Sequence, residues 1–184
     1  MIIGITGKKY HGKDMLADYL VSLGFIKYSM ANPLKSGLKE FFGFNEKQVN
    51  GEEKEIIDPE WGVSPRQVMQ FFGTEVMQLK IQELIPNIER NFFVKRFNKF
   101  CQVNKGKNIV VADIRFQHEI NFIKNNNGII IKTFRSNANT ENHNEHISEA
   151  GIDKLIGIDF EIQNNSSPEV AFQRLNEIVE ENVE

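Results

Sequence analysis

Apolar and polar positions alternate in blocks along this chain, and the blocks change period. Met1–Thr6 (MIIGIT) is a continuous apolar, β-branched run that reads as a strand. Leu16, Leu20 and Leu23, with Ala17 and Val21 beside them, then follow a helical stripe that Gly24 closes. Phe25–Met30 reads as a second strand, and Leu34, Leu38, Phe41 and Phe42 mark a helix opened by Asn32 and Pro33 and ended by Gly43. The charged stretch Asn45–Gly62 predicts a surface loop or short helix, with the lone Trp61 as a packing anchor. Ser64 and Gln67 have capping-box spacing, so a helix starts at Pro65 and runs through Val68, Phe71, Phe72, Val76 and Leu79 to about Leu84. Asn91–Val103 carries an aromatic helical stripe of Phe92, Phe93, Phe97 and Phe100. Two apolar runs, Ile109–Val111 and Gly128–Phe134, read as strands buried on both faces. Between them lies a short helix, Phe116–Lys124, and after them a strand at Phe160–Gln163 and an amphipathic helix from Pro168 through Phe172, Leu175, Ile178 and Val179.

The junction of the first strand and helix carries chemistry. Gly7-Lys8-Lys9-Tyr10-His11-Gly12-Lys13-Asp14 fits G-x-x-x-x-G-K in the strand–loop–helix context that a phosphate-binding loop requires. Gly7 and Gly12 permit backbone angles and close approaches that a side chain forbids. Loop amides and the helix N-terminus then face phosphate, with Lys13 bridging the β- and γ-phosphates of a nucleoside triphosphate. Asp14 stands where Ser or Thr normally holds Mg²⁺, and a carboxylate also suits that ion, directly or through water. A second aspartate, Asp113, ends the apolar strand at Ile109, the position from which a carboxylate reaches Mg²⁺ or its waters. Arg115 and Arg135 leave the ends of two strands, where open α/β sheets bind ligands. On the helix from Pro65, Arg66 and Gln70 lie one turn apart. Gly73 is either a site of close backbone approach or a tolerated helical glycine, and Lys35 either meets an anion or is simply solvated.

Composition narrows the setting. A length of 184 residues suits a single domain, and a hydrophobic content of 40% suffices for its core. A net charge of −3 offers no basic field for nucleic acid or membrane. One cysteine, Cys101, excludes an internal disulfide and fits a reducing, cytoplasmic compartment. The first strand leaves no room for a signal peptide, and no apolar run is long enough for a membrane span. Ser136–Glu145 reads as a flexible segment, and His143 and His146 nearby lack the Cys or tight His spacing of a zinc site.

Taken together, these motifs resemble the deoxynucleoside monophosphate kinases of tailed phages, relatives of animal phosphomevalonate kinases. The similarity runs through Gly7–Asp14, Asn32-Pro33-Leu34-Lys35, Ser64-Pro65-Arg66, and Gln70-x-x-Gly73-Thr74-Glu75. It continues in Asp113-Ile114-Arg115-Phe116 with Glu119, His146-Ile147-Ser148-Glu149 and Ile162-x-Asn164. It implies an α/β, three-layer P-loop NTPase fold of the nucleoside monophosphate kinase kind: a mostly parallel central sheet flanked by helices, in one domain over 1–184. Residues 33–100 would form a helical acceptor-binding region and 135–150 a lid. It also implies transfer of the ATP γ-phosphate to a nucleoside monophosphate. Gly7, Lys8, Gly12, Lys13, Asp14 and Asn164 would bind ATP, with the Asn164 turn flanking the adenine. Lys13, Arg115, Arg135 and Asp113 would be catalytic, Asp14 and Asp113 would hold Mg²⁺, and Lys35, Arg66, Gln70, Gly73, Glu75 and Glu149 would contact the acceptor. A homodimer is suggested by the family alone, and a viral source would place the protein in the host cytoplasm. His11 and Met15 depart from the family pattern, which commonly has Ser before the second loop glycine and Thr or Ser after the Asp. A kinase of another phosphorylated acceptor and a non-catalytic nucleotide switch are the alternatives.

Overall fold

Five strands pair side by side in the order β2-β3-β1-β4-β5, all parallel: β1 is Ile2–Thr6, β2 Ile26–Tyr28, β3 Ile109–Ile114, β4 Ile129–Phe134 and β5 Phe160–Gln163. A computed structural model describes residues 1–136 and 151–182. Parallel neighbours need a crossover, and helices supply it: α1 is Lys13–Ser22, α2 Asn32–Phe42, α3 Glu46–Val49 and α4 Pro65–Gln70. A π-helical stretch, Phe71–Lys80, links α4 to α5 (Ile81–Leu84). After it come α6 (Phe92–Val103), α7 (Gln117–Asn125) and α8 (Pro168–Asn182). The chain divides into two compact units, Met1–Met30 with Arg96–Glu184, and Ala31–Lys95.

The first unit is a three-layer α/β sandwich. On one face Leu16, Ala17 and Leu20 of α1 and Ala171, Leu175 and Ile178 of α8 pack against Ile3, Ile5, Val110, Ile131 and Ile162. Tyr19 and Phe172 stack between those helices with ring centroids 4.1 Å apart. On the other face Ile120 and Ile123 of α7 are buried, and a Cβ on Gly4 would come within 2.8 Å of both Ile123 and Ile130. Glycine at the midpoint of the first strand thus leaves space for side-chain ends from both α7 and β4. Asp159 braces the edge, accepting from the Ile130 N–H at 2.8 Å and the Lys124 ammonium at 2.6 Å.

The second unit packs Leu38, Phe44, Val49 and Val68 with Leu34, Phe42, Met69 and Phe72 around them. Trp61 is an anchor here, edge-on to Phe42 at 5.0 Å and donating its indole N–H to the Phe42 carbonyl at 2.9 Å. Two local expectations change. The cap of α2 is Ala31, not Asn32, with Pro33 in the first turn; its carbonyl accepts from the Lys35 N–H at 2.9 Å. Helix α4 starts as its capping box requires, with Ser64 accepting from the Gln67 N–H, but widens to π geometry at Phe71. That widening changes the helical period, so Phe71 and Leu79, expected inside, stand half exposed, while Thr74 and Gln78 are buried.

Candidate active site

Strand order decides which chain ends meet. Because β1 lies between β3 and β4, the loop after Thr6, the segment after Ile114 and the segment after Phe134 all leave one edge of the sheet. Thr6 pairs with Ile114 on one side and Lys132 on the other, and its hydroxyl donates to the Ile114 carbonyl at 2.9 Å. Gly7, Asp113, Arg115 and Arg135 therefore belong to three neighbouring strand ends.

The loop depends on its two glycines. Gly7 has φ +149°, and a Cβ there would lie 2.4 Å from the Thr133 carbonyl oxygen. Gly12 has φ +91° and caps α1, and a Cβ there would lie 2.2 Å from the Asn164 amide nitrogen. Between them, the His11 N–H donates to the Lys8 carbonyl at 3.3 Å, and the Lys13 ammonium reaches back to that same carbonyl at 2.7 Å. The cation of Lys13 is thereby held against its own loop, beside the amide-lined N-terminus of a ten-residue helix. The Lys8 side chain turns away to Asp153, 3.0 Å distant, and holds that carboxyl below the usual range. Lys8 and Asp153 line a cavity of about 310 Å³ with His11, Lys132, Phe134 and Glu161. Burial, together with the nearby Lys13 and Lys8 charges, lowers the His11 pKa.

The two candidate metal carboxylates have different surroundings. Asp113 is fixed: it accepts from the Ser29 hydroxyl at 2.7 Å through one oxygen and from the Met30 N–H at 2.9 Å through the other. A carboxylate fixed in this way suits a hydrated divalent cation held by few carboxylates. Asp14 is 80% exposed and pairs with Lys27 at 3.1 Å, which also holds Asp18 at 2.8 Å. Burial works to lower the Lys27 pKa, but hydrogen bonds to Asp18 and Asp14 outweigh it and raise it. Among the described residues no cluster of three His, Cys, Asp or Glu side chains is present. That is compatible with Mg²⁺, which retains several waters and takes further oxygens from phosphates.

Arg115 is set from below. Glu119 is 2% exposed, and one of its oxygens accepts from the Arg115 N–H at 2.8 Å and the Phe116 N–H at 3.1 Å. Burial pushes its carboxyl up to about 7, with the Asp113 charge adding to the effect. Arg135 donates through Nε to the Asn164 carbonyl at 2.8 Å. The Asn164 side chain is 2% exposed and donates to the His11 carbonyl at 3.2 Å, behind the loop. A polar side chain after a strand looks the same in sequence whether it faces ligand or supports a neighbouring loop.

The residues expected to bind the acceptor lie in the second unit. Lys35 donates to Asn50 at 2.7 Å, and Arg66 is ion-paired through Nε with Glu55. Arg66 and Gln70 share one face of α4, as their spacing predicts, and Glu75 follows in the π stretch. Gly73 packs closely: a Cβ there would lie 3.0 Å from the Leu34 side chain of α2. Glu149, with most of the expected lid at 135–150 and His143 and His146, lies outside the described residues. Sequence reasoning missed Ser29, Lys27, Thr133 and the Arg90–Gln78 pair, whose guanidinium donates twice to the Gln78 amide oxygen at 3.2 and 3.0 Å. None sits in a motif, and only tertiary pairing shows their partners. Cys101 is half-buried, and desolvation raises its thiol to about 11, which fits a packing role.

Comparison with known proteins gives the family and the fold. The profile of the deoxynucleotide monophosphate kinase family matches residues 41–174. A protein of Acanthamoeba polyphaga mimivirus named "Putative deoxynucleotide monophosphate kinase" is 33% identical over 183 residues, covering 95% of this chain and 94% of that protein. Among solved structures, the dephospho-CoA kinase from Campylobacter jejuni superposes with a TM-score of 0.53 at 16% identity, covering 99% of this chain and 98% of the other. A Thermus thermophilus protein does so with 0.54 at 15% identity, covering 100% and 98%. These likenesses show the P-loop kinase fold, and the profile and the viral relative show the family. The chain belongs to the deoxynucleotide monophosphate kinase family, a family of phosphotransferases.

Proposed function

We propose that this protein transfers the γ-phosphate of ATP to a deoxynucleoside monophosphate in a Mg²⁺-dependent reaction. The observation that carries this reading is the meeting of three strand ends at one sheet edge. The Gly7–Lys13 loop lies between Asp113 and Arg115 on one side and Arg135 on the other. Such an edge gathers amides, a lysine and two arginines where phosphate charge must be held, and phosphoryl transfer asks chiefly for alignment and charge stabilisation.

In this reading the loop amides and Lys13 hold the β- and γ-phosphates of ATP. An anionic oxygen of the acceptor monophosphate attacks the γ-phosphorus in line, and the bond from that phosphorus to the β,γ-bridging oxygen breaks as ADP leaves. The acceptor phosphate has a second pKa near 6, so it is largely deprotonated at neutral pH and no protein base is needed. Arg115 and Arg135 neutralise the transferring group. Asp113 and Asp14 would hold Mg²⁺, which would offset phosphate charge when bound. For the acceptor, Arg66 offers a fork for the phosphate and Gln70 a donor and acceptor for a base edge, with Glu75 following in the chain and Lys35 in the same unit. The family match supports a deoxynucleotide acceptor over phosphomevalonate, which has no base edge to read.

The test is an assay of ADP release with Mg²⁺-ATP and, in turn, each deoxynucleoside monophosphate, its ribonucleotide counterpart and phosphomevalonate. Release with one or more deoxynucleotides is expected. Release with phosphomevalonate alone, or with no acceptor, would refute the proposal.

A further inference from the structure

We propose that Thr133 and Asn164 are positioning residues for the donor loop, locking the His11–Gly12 peptide so that the Gly12 N–H faces the phosphates. The inference rests on reading Gly7–Asp14 as the phosphate-binding loop. Its ground is a doubly held carbonyl. The Thr133 hydroxyl donates to the His11 carbonyl oxygen at 2.9 Å, and the Asn164 side-chain amide donates to the same oxygen at 3.2 Å. Thr133 is fully buried and Asn164 is 2% exposed, so neither donor has water as an alternative. A carbonyl oxygen has two lone pairs, and here both are used by side chains from the neighbouring strand ends.

The consequence follows from peptide geometry. The His11–Gly12 bond is planar and, like the other peptides among the described residues, not cis. In a trans peptide the C=O and the following N–H point in opposite directions. A carbonyl drawn inward onto Thr133 and Asn164 therefore turns the Gly12 N–H outward, towards the concave side of the loop. Without the two donors that peptide could rotate, which a glycine with φ +91° tolerates more readily than any other residue.

The two donors are themselves fixed. Asn164 receives Arg135 Nε on its carbonyl at 2.8 Å and donates its own N–H to the Phe134 carbonyl at 2.8 Å. The backbone of Thr133 abuts Gly7, where a Cβ would come within 2.4 Å of the Thr133 carbonyl oxygen. Residue 133 thus grips the loop at both ends, through its backbone at Gly7 and its hydroxyl at His11. Arg135, proposed to meet the transferring phosphoryl group, is tied to the same Asn164 that sets the loop.

The experiment measures binding of inorganic triphosphate and of Mg²⁺-ATP by calorimetry, with the KM for each substrate and the melting temperature. The wild type is compared with Thr133→Val, which keeps the shape and loses the hydroxyl, Thr133→Ser, which keeps the hydroxyl, and Asn164→Ala. We expect Thr133→Val and Asn164→Ala to weaken triphosphate binding and raise the ATP KM about tenfold, the loss of one hydrogen bond's preorganisation. The acceptor KM should be unchanged, and Thr133→Ser should recover most of the affinity. Should Thr133→Val not fold, Asn164→Ala and Thr133→Ser carry the same comparison. A lowered melting temperature with wild-type triphosphate affinity in the folded variants would make both residues merely structural and overturn the inference. A wild type that binds no triphosphate would remove the donor-site reading beneath it, a different failure.

Discussion

Replacing Glu119 by glutamine should change how stability depends on pH. The Glu119 carboxyl is pushed from 4.5 to about 7 by burial, with further opposition from Asp113. In the unfolded chain it ionises near its ordinary value, so between pH 4.5 and 7 the folded state holds a proton that the unfolded state has released. The stabilisation from that proton is full below pH 4.5 and is lost as pH rises through 7. A shift of that size corresponds to roughly 3 kcal/mol, at ~1.4 kcal/mol per pKa unit. Glutamine imitates the protonated carboxyl: it is neutral, and its oxygen can still accept from the Arg115 and Phe116 N–H groups. Urea unfolding of wild type and Glu119→Gln at pH 5, 6, 7 and 8, with a chelator present, measures the difference directly. The two proteins should agree within about 1 kcal/mol at pH 5, and the variant should be the more stable by roughly 2–3 kcal/mol at pH 8. His11, whose pKa is lowered, contributes the opposite slope below pH 6.5, but equally in both proteins, so it cancels. Parallel stability curves across this range would refute the account of Glu119 as a buried, proton-holding cap.

Three further outcomes follow from the site. Lys13→Ala should lower turnover by at least about a hundredfold, because it removes the cation held against the donor loop; the steady-state rate of the folded variant checks it. Asp113→Asn should shift the Mg²⁺ titration of turnover to higher concentration, since an amide offers one oxygen where the carboxylate offers two to Ser29, Met30 and the ion; an unmoved titration would place the metal elsewhere. Gly7→Ala should destabilise the fold by roughly 3 kcal/mol by denaturant unfolding, because the new Cβ meets the Thr133 backbone at 2.4 Å in a conformation with φ +149°.

The features that the sequence reveals are those with local causes. The continuous apolar run at Ile109 becomes a strand buried between two others, and the Ser64–Gln67 spacing becomes a capping box, because period and cap chemistry act within a few residues. The P-loop kinase fold and the family are borne out by comparison. What stayed hidden depends on partners far along the chain. Asn164 supports His11 across 153 positions, and Ser29 reaches Asp113 across 84. The π stretch at Phe71 has no local signal except Gly73, whose contact with Leu34 is again tertiary.

The central position of β1 also governs the order of assembly. Ile2 pairs with Ile109, and Ile3 with Ile129. At synthesis rates of about 5–20 residues per second, this strand waits on the order of ten seconds for its partners. Residues 31–95 have local helical contacts and can organise during that interval. The apolar edge of MIIGIT cannot be satisfied by anything made near it. The strand that fixes the phosphate loop is therefore the one most exposed to wrong pairing in the nascent chain, and the yield of active protein should depend on how quickly β3 and β4 follow it.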